Sequence, residues 1–376
     1  MVIQLDPDLA AVILKGSYTA RYRMLTFYDG RPSLPVALEP MPTGDLSSSA
    51  DGNVQTSGRV YIRTDRFETG GQQIIPRGMR DPLAPFGQEV ELRLEVLTGS
   101  TLIGSVPLGR FRITEVPTIE QTSKRLAARG IGYGLAVELQ IQDRFEAIEA
   151  NKFTEAVTPQ GTSTWAEIRR LCPFPVVFSL PDRPIPPVFV YPESRLEALQ
   201  KLAGNLDGVL HVTRAGAITV RPAEPNLNIP TTDLTGTIRD VASGLSNDLR
   251  NVVVLKGKTV NDVQIVAVSR VSSGPLAYTG PLGPRVEIIS ESAIDSQYDA
   301  QRAADRHLAR LSGQTKEVTV TCLPHPGVEL GDVVRATDPA SEIVEVGMVS
   351  NIRYSLNPTD LMQVTLTIPR EVIPWG

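Results

Sequence analysis

Residues Pro326–Val334 read PGVELGDVV, and the patterns on either side of them set the architecture. Pro326-Gly327 turns the chain, Gly331-Asp332 turns it again, and Val333-Val334 begins a strand. Immediately upstream, Lys316–Cys322 alternates Val318, Val320 and Cys322 with Glu317, Thr319 and Thr321, the signature of a half-buried strand. Before that, the spacing predicts a helix over Asp295–Leu311. Ala300, Ala303, Ala304, Leu308 and Leu311 fall on one face of a 3.6-residue period. Asp295 and Ser296 offer N-caps, and Gly313 lies just past the last periodic residue. On the residues alone this is a helix feeding a β-barrel through a Pro-Gly turn.

Upstream again, Ser246–Gly257 holds the continuous apolar run Val252–Leu255, with Val263–Val271 expected to pair with it. Together with strands at 316–322, 330–336, 342–352 and Gln363–Ile368, these make a second β-barrel. The first is expected within residues 1 to 148. A short helix at Pro7–Leu14 leads into strands at Tyr18–Phe27 and Arg59–Arg63. The clearest strand follows, alternating Val90, Leu92, Leu94 and Val96 with Glu91, Arg93 and Glu95. Ser105–Val116 and Gly134–Asp143 return across the sheet. Between the barrels the character changes. Helices are expected at Ser163–Cys172 and Pro192–Gly204, then a hairpin with Leu210, Val212, Ile218 and Val220 inward and its turn at Ala215-Gly216. The fold class is therefore mainly β with an α+β insert. Two antiparallel barrels, residues 1–148 and 245–376, flank a small α/β domain at 149–244.

Bulk composition excludes several function classes. At 376 residues the chain calls for two or three domains, and 30 Pro with 30 Gly imply many turns. A net charge of −5 gives no basic footprint for tight, sequence-specific nucleic-acid binding. Asp6 and Asp8 stand where a signal peptide needs positive charge, and no stretch approaches the ~18 apolar residues of a membrane span, so synthesis in a cytoplasm is expected. Cys172 and Cys322 are far apart and read as buried thiols.

Chemistry-bearing patterns are sparse. His211, His307 and His325 are the only histidines; Cys322 and His325 form one C-x-x-H pair, and zinc needs a second pair that the chain does not supply. There is no G-x-S-x-G elbow, and the glycines of Arg129–Gly134 precede a strand rather than the helix a phosphate loop needs. Glu91 and Glu95 share a strand face with Arg93 between them, as on a solvated surface. Glu329 and Asp332 either serve the turn, with Asp332 bonding local backbone, or help to line a polar channel. No catalytic, cofactor or metal residue is expected. Two irregular stretches, 64–88 and 272–285, place Ile74, Ile75, Leu83, Phe86, Leu276, Tyr278 and Leu282 on weakly patterned backbone, either packed locally or held for partner chains.

The wording QRAADRHLARL…VTVTCLPHPGVELGDVVR resembles the C-terminal tube-like domain of tail hub proteins of long-tailed bacteriophages, the baseplate-hub or minor tail protein family. DPLAPFGQEVEL and PLGRFRITEV are similar to its N-terminal domain, and the helix-plus-hairpin unit to its intervening α/β domain. The resemblance implies a non-enzymatic structural subunit of the virion. It would be a homotrimeric ring with pseudo-sixfold symmetry at the tail tip, joining the sixfold tail tube to threefold tip components. It further implies contacts with distal tail and tail tube proteins, the tape measure protein and tip or fibre proteins. Phage DNA would pass through the lumen unbound during ejection, which the acidic balance suits, and no stable membrane insertion is implied. Because the sequence ends soon after the last barrel strand, any hydrolase activity is expected on another subunit. Two other functions stand beside this one: receptor or carbohydrate binding at the tip, weakened by 5% aromatics, and cell-wall hydrolysis.

Overall fold

The computed structural model describes residues 5–63, 74–117, 119–122, 134–155, 157–185, 190–191, 193–223, 225–245, 249–260, 263–274, 276–290, 294, 296–312, 314–337 and 342–370. Contacts divide the chain into two compact units. The larger takes in the described residues within Met1–Pro186, Val190–Val241 and Thr319–Leu366, and the smaller those within Pro187–Phe189, Ala242–Val318 and Thr367–Gly376.

The larger unit begins with helix α1 (Pro7–Leu14). The strands β1 (Thr19–Tyr28), β2 (Arg31–Pro32), β3 (Asp45–Ser49), β4 (Thr56–Arg63), β5 (Gln88–Thr98), β6 (Thr101–Glu115), β7 (Ile119–Thr122) and β8 (Gly134–Gln142) follow. Antiparallel ladders run β1–β5–β6–β8–β4. The segment around 38–41 closes the ring, with Leu38 exchanging both backbone hydrogen bonds with Met24 and Met41 N donating to Tyr61 O. Closure removes two open edges. It also seals a core of Met24, Val60, Ile62, Leu92, Leu94, Leu139 and Ile141, none of them exposed. The alternation expected at Val90–Val96 is the inward face of β5. On its outer face Glu91 pairs with Arg93 at 2.6 Å and Glu95 with Arg21 at 2.6 Å, so those carboxylates are spent on arginines.

After the first barrel come α2 (Phe145–Ala150), α3 (Thr164–Leu171), α4 (Arg195–Asn205) and the hairpin β9 (Gly208–Val212)–β10 (Ile218–Pro222). Ser163 and Ser194 cap α3 and α4 by accepting from the backbone three residues on. Leu196, Leu199 and Leu202 of α4 bury with Leu210, Ile218 and Val220 of the hairpin, the stripe and inward face expected. Val212, also expected inward, is half-buried.

A second ring, most of it in the same unit but with the ends of three strands past Val241, before Thr319 and past Leu366 assigned to the smaller, uses β11 (Thr232–Asp233), a 3-10 turn at Thr235–Thr237, and β12 (Ile238–Leu245). β16 (Gln314–Cys322), β17 (Val333–Thr337), β18 (Val344–Ser355) and β19 (Met362–Arg370) supply the rest. The strand order is β12–β16–β19–β18–β17, and β11 pairs in parallel with β17 before its chain runs on into β12. Cys322, Met362, Val364 and Leu366 are fully buried there. The two rings are stitched edge to edge, since Asp45–Ser49 of β3 pairs antiparallel with Asn351–Ser355 of β18.

The 3-10 turn meets the end of α1 at very short range. A Cβ on Gly236 would stand 2.1 Å from Leu14 O, and one on Gly16, whose φ is +62°, would stand 2.4 Å from Gly236 O. Gly236→Ala is expected to cost about 1–3 kcal/mol through overpacking, read as a lower denaturant midpoint. An unchanged midpoint would mean that the helix end simply moves away.

The smaller unit is a three-stranded sheet, β14 (Val263–Arg270)–β13 (Val252–Val260)–β15 (Val286–Ser290), covered on one face by α5 (Gln297–Leu311). Val252–Leu255 and Val263–Val271 are strands as expected, but they form this sheet instead of joining the second ring. The reason lies in α5. Its stripe of Ala300, Ala303 and Ala304 is small enough to approach the sheet closely, burying Val253, Leu255 and Ala267. Ser296 caps the helix, while Asp295 and Gly313 lie outside the described residues. No helix among the described residues is long and apolar enough to cross a membrane.

Candidate functional site: a buried ionic junction

The hairpin β9–β10 lies where the two rings of the larger unit meet, and its arginines reach both. Arg214, at the hairpin turn, donates from Nη1 to Pro107 O of β6 at 3.0 Å and to Pro326 O, and from Nη2 to Val328 O. Its Nε lies 3.3 Å from Glu329. Arg221, on β10, donates to Leu330 O, to Asp332 Oδ1 at 2.9 Å and to Glu329. From the first ring, Arg144 forms a two-pronged pair with Glu89, 2.8 Å on each prong, and donates to Gly216 O of the hairpin turn. Arg110 reaches Glu89 at 2.7 Å while its guanidinium covers the Phe27 ring at 4.1 Å. Gln55 adds a neutral contact, Nε2 to Leu210 O at 2.9 Å. Side chains of this kind are rarely buried unless paired, and here every one has a partner.

Glu329 and Asp332 are thus located plainly. The turn of the opening stretch is as expected: Asp332 accepts from Glu329 N at 2.8 Å, and Gly331 takes the left-handed φ of +77°. The alternative, that the two carboxylates line a channel, is not what the structure shows. They are 7% and 4% exposed and bound to arginines of the same chain. Burial alone would raise the Glu329 carboxyl, but His211, Arg214 and Arg221 hold it down at about 2.

Both histidines of this region are buried. His211 on β9 has its Nε2 3.9 Å from Glu329, an electrostatic contact too long for a hydrogen bond, and burial pushes it down to about 4. In the turn, His325 Nδ1 accepts from Gly327 N, and its carbonyl accepts from Tyr354 Oη at 3.0 Å. Burial first, then the Arg214 charge, lowers it to about 4. The Cys322 thiol is pushed up to about 12 by burial, so the C-x-x-H pair offers neither a ready thiolate nor an open ligand. Among the described residues, no group of three His, Cys, Asp or Glu is placed to hold a metal. A cavity of about 50 Å³ sits at the junction, lined by Arg110, Asp143, His211, Arg214, Glu329 and Tyr354 among others. Asp143 accepts from Thr56 N at 2.6 Å and Phe145 N at 2.9 Å, yet burial pushes its carboxyl up to about 7.

Of the apolar loop residues singled out in the sequence, Ile74, Ile75, Leu83 and Leu276 pack locally, while Phe86 stays 54% exposed. Residues 64–73, most of 129–134 and Trp375 lie outside the described residues. Sequence reasoning missed the arginines entirely. Arg144, Arg214 and Arg221 find partners 55 to 114 residues away, so no local spacing announces them. The one usable signal was a pair of acids inside an otherwise apolar turn.

A mainly β chain with two stitched barrels and a helix-plus-hairpin insert has the fold of known tail proteins. The tail protein from Neisseria meningitidis MC58 is similar over 94% of this chain and 98% of its own, with TM-score 0.58 and 16% identity. The 43 kDa tail protein of prophage MuSo2 from Shewanella oneidensis matches 92% of this chain and 98% of its own (TM-score 0.54, 12% identity). Prophage tail protein gp18 from Listeria monocytogenes EGD-e matches 94% and 96% (TM-score 0.50, 11% identity). No family model matches the sequence, and no curated protein matches it.

Proposed function

We propose that this chain is a structural, non-enzymatic subunit of a bacteriophage tail tip. Three copies would form a hub ring that joins the sixfold tail tube to threefold tip components and leaves a central passage for DNA. The observation that carries this is the whole-length likeness to solved tail proteins, which takes in both rings and the insert together. The junction supports it: a subunit that transmits load between tube and tip is served by two barrels locked to one hairpin. So does the outer face of the smaller unit's sheet, where Val266, Val268, Val286 and Ile288 are 36–58% exposed, the kind of apolar surface that assembly covers. Neighbours in this proposal are distal tail and tube proteins, the tape measure protein and tip or fibre proteins, and the site of action is the virion. The three-part division at 1–148, 149–244 and 245–376 is retained as a proposal for the hub's modules.

The test is the native mass of the purified chain over a concentration series, alone and with its tail tube protein. A mass near three times the 40.8 kDa subunit is expected, with a central channel on imaging. A monomer at every concentration and in the presence of the tube protein would overturn the ring.

A further inference from the structure

Eight ionisable side chains of opposite sign meet at the junction: Arg110, Arg144, Arg214 and Arg221 against Glu89, Asp143, Glu329 and Asp332. The side chains in ion pairs are at most 14% exposed, and Asp143 is 2% exposed. Above about pH 7, where Asp143 too is ionised, the count is four against four, and the buried cluster is then neutral as long as His211 is neutral. His211 is placed to upset that balance. Glu329 faces it from the second ring at 3.9 Å. Arg214 and Arg221 stand on its own hairpin, and Arg110, Asp143 and Tyr354 share the cavity with it. Glu329 already serves both hairpin arginines, Asp332 is engaged by Arg221, and Asp143 is held by the backbone N–H groups of Thr56 and Phe145, so no carboxylate of the cluster is free to receive an imidazolium. Among the described residues His211 Nε2 has no hydrogen-bond partner, and the cavity of about 50 Å³ beside it has room for about three to five waters at ~10–15 Å³ each. Water there would give a proton a route to that nitrogen.

We propose that this junction is a proton-responsive joint, in which protonation of His211 releases the β9–β10 hairpin from the 323–332 turn while both barrels stay folded. It is independent of the hub assignment. The sign follows from linkage. His211 is held below its ordinary value in the closed joint, so the closed form is favoured above about pH 6.5 and loses ground as pH falls from there toward about 4. Glu329, held down at about 2, acts in the same direction, but only below its ordinary value of 4.5. Asp143 is shifted the other way: its hydrogen-bond donors belong to the first ring, but it lines the same cavity as the hairpin, so whatever burial it loses on opening favours the closed form as pH falls and opposes His211. At pH 5 the His211 shift alone favours opening by up to roughly 30-fold.

Hydrogen–deuterium exchange of the full chain at pH 7.5 and pH 5, corrected for intrinsic rates, tests this. Peptides covering 208–222 and 323–332 are expected to lose protection by an order of magnitude at pH 5, with β5 and β8 unchanged. In His211→Gln, which stays neutral throughout, the difference should vanish. Equal protection at both pH values, loss across the barrels together, or an undiminished effect in His211→Gln would each overturn the proposal. Should that variant fold poorly, NMR of the wild-type imidazoles decides, because three histidines are few enough to assign. His211 is expected to titrate well below 6.5, and an ordinary titration would sink the idea.

Discussion

Arg214→Ala is expected to destabilise the larger unit by about 3–5 kcal/mol, the range for breaking a buried ion pair from one side. The truncation does more than remove a charge. It strips the donors from two buried carbonyls, Pro326 and Val328, and a half-buried one, Pro107, and leaves Glu329 to Arg221 with only His211 nearby. An unpaired buried acceptor costs ~1–3 kcal/mol in its own right, although water entering the cavity would recover part of that. Arg214→Lys separates charge from geometry, since an ammonium keeps the ion pair with Glu329 but cannot spread its donors to carbonyls on both rings. Lysine is therefore expected to recover less than half of the loss. Urea unfolding of the three proteins is the measurement. A loss under ~1 kcal/mol for alanine would show that the rings are held by the β3–β18 ladder and that the hairpin clamp is incidental.

Glu89→Gln carries the second large effect. Glu89 is the carboxylate shared by Arg110 and Arg144, which are 14% and 8% exposed, and removing its charge leaves two buried guanidiniums facing each other. A loss of about 3–5 kcal/mol is again expected. The diagnostic is the combination with Arg144→Met. If the cost of Glu89→Gln arises from uncompensated positive charge, the double variant should lose less than the sum of the two singles, by ~0.5–3 kcal/mol. Strict additivity in the cycle would refute that account and point to packing around Phe27 and Phe174, the rings that Arg110 and Arg144 cover.

How far the sequence could carry these conclusions depended on the range of the interactions. Local order was legible. The alanine stripe of α5, its Ser296 cap, the inward valines of β16 and the Gly331 turn are set by neighbours a few residues apart, and each stands where periodicity and turn chemistry put it. Sheet membership was harder, because Val252–Leu255 reads the same whether it enters a barrel or lies under a helix. What decides is α5, some fifty residues later, whose small side chains offer that sheet a closer partner. The junction was not legible at all. Arginines at 110, 144, 214 and 221 look like ordinary surface charges in a linear reading, and only the folded chain brings them to Glu89, Glu329 and Asp332.

The ladder between β3 and β18 also sets a timetable. Its two strands are separated by roughly 300 residues, so the outer edge of β3 has no partner until nearly the whole chain has left the ribosome. At about 5–20 residues per second that interval is roughly 15–60 s. Through it the first ring can close on itself while exposing Asp45–Ser49 as an open strand, a template for pairing with a neighbouring nascent chain. That strand reads DLSSS, four of its five residues polar and one of them charged. Such a composition is a poor seed for sticky contacts, and it keeps the seam available for the one partner that arrives last.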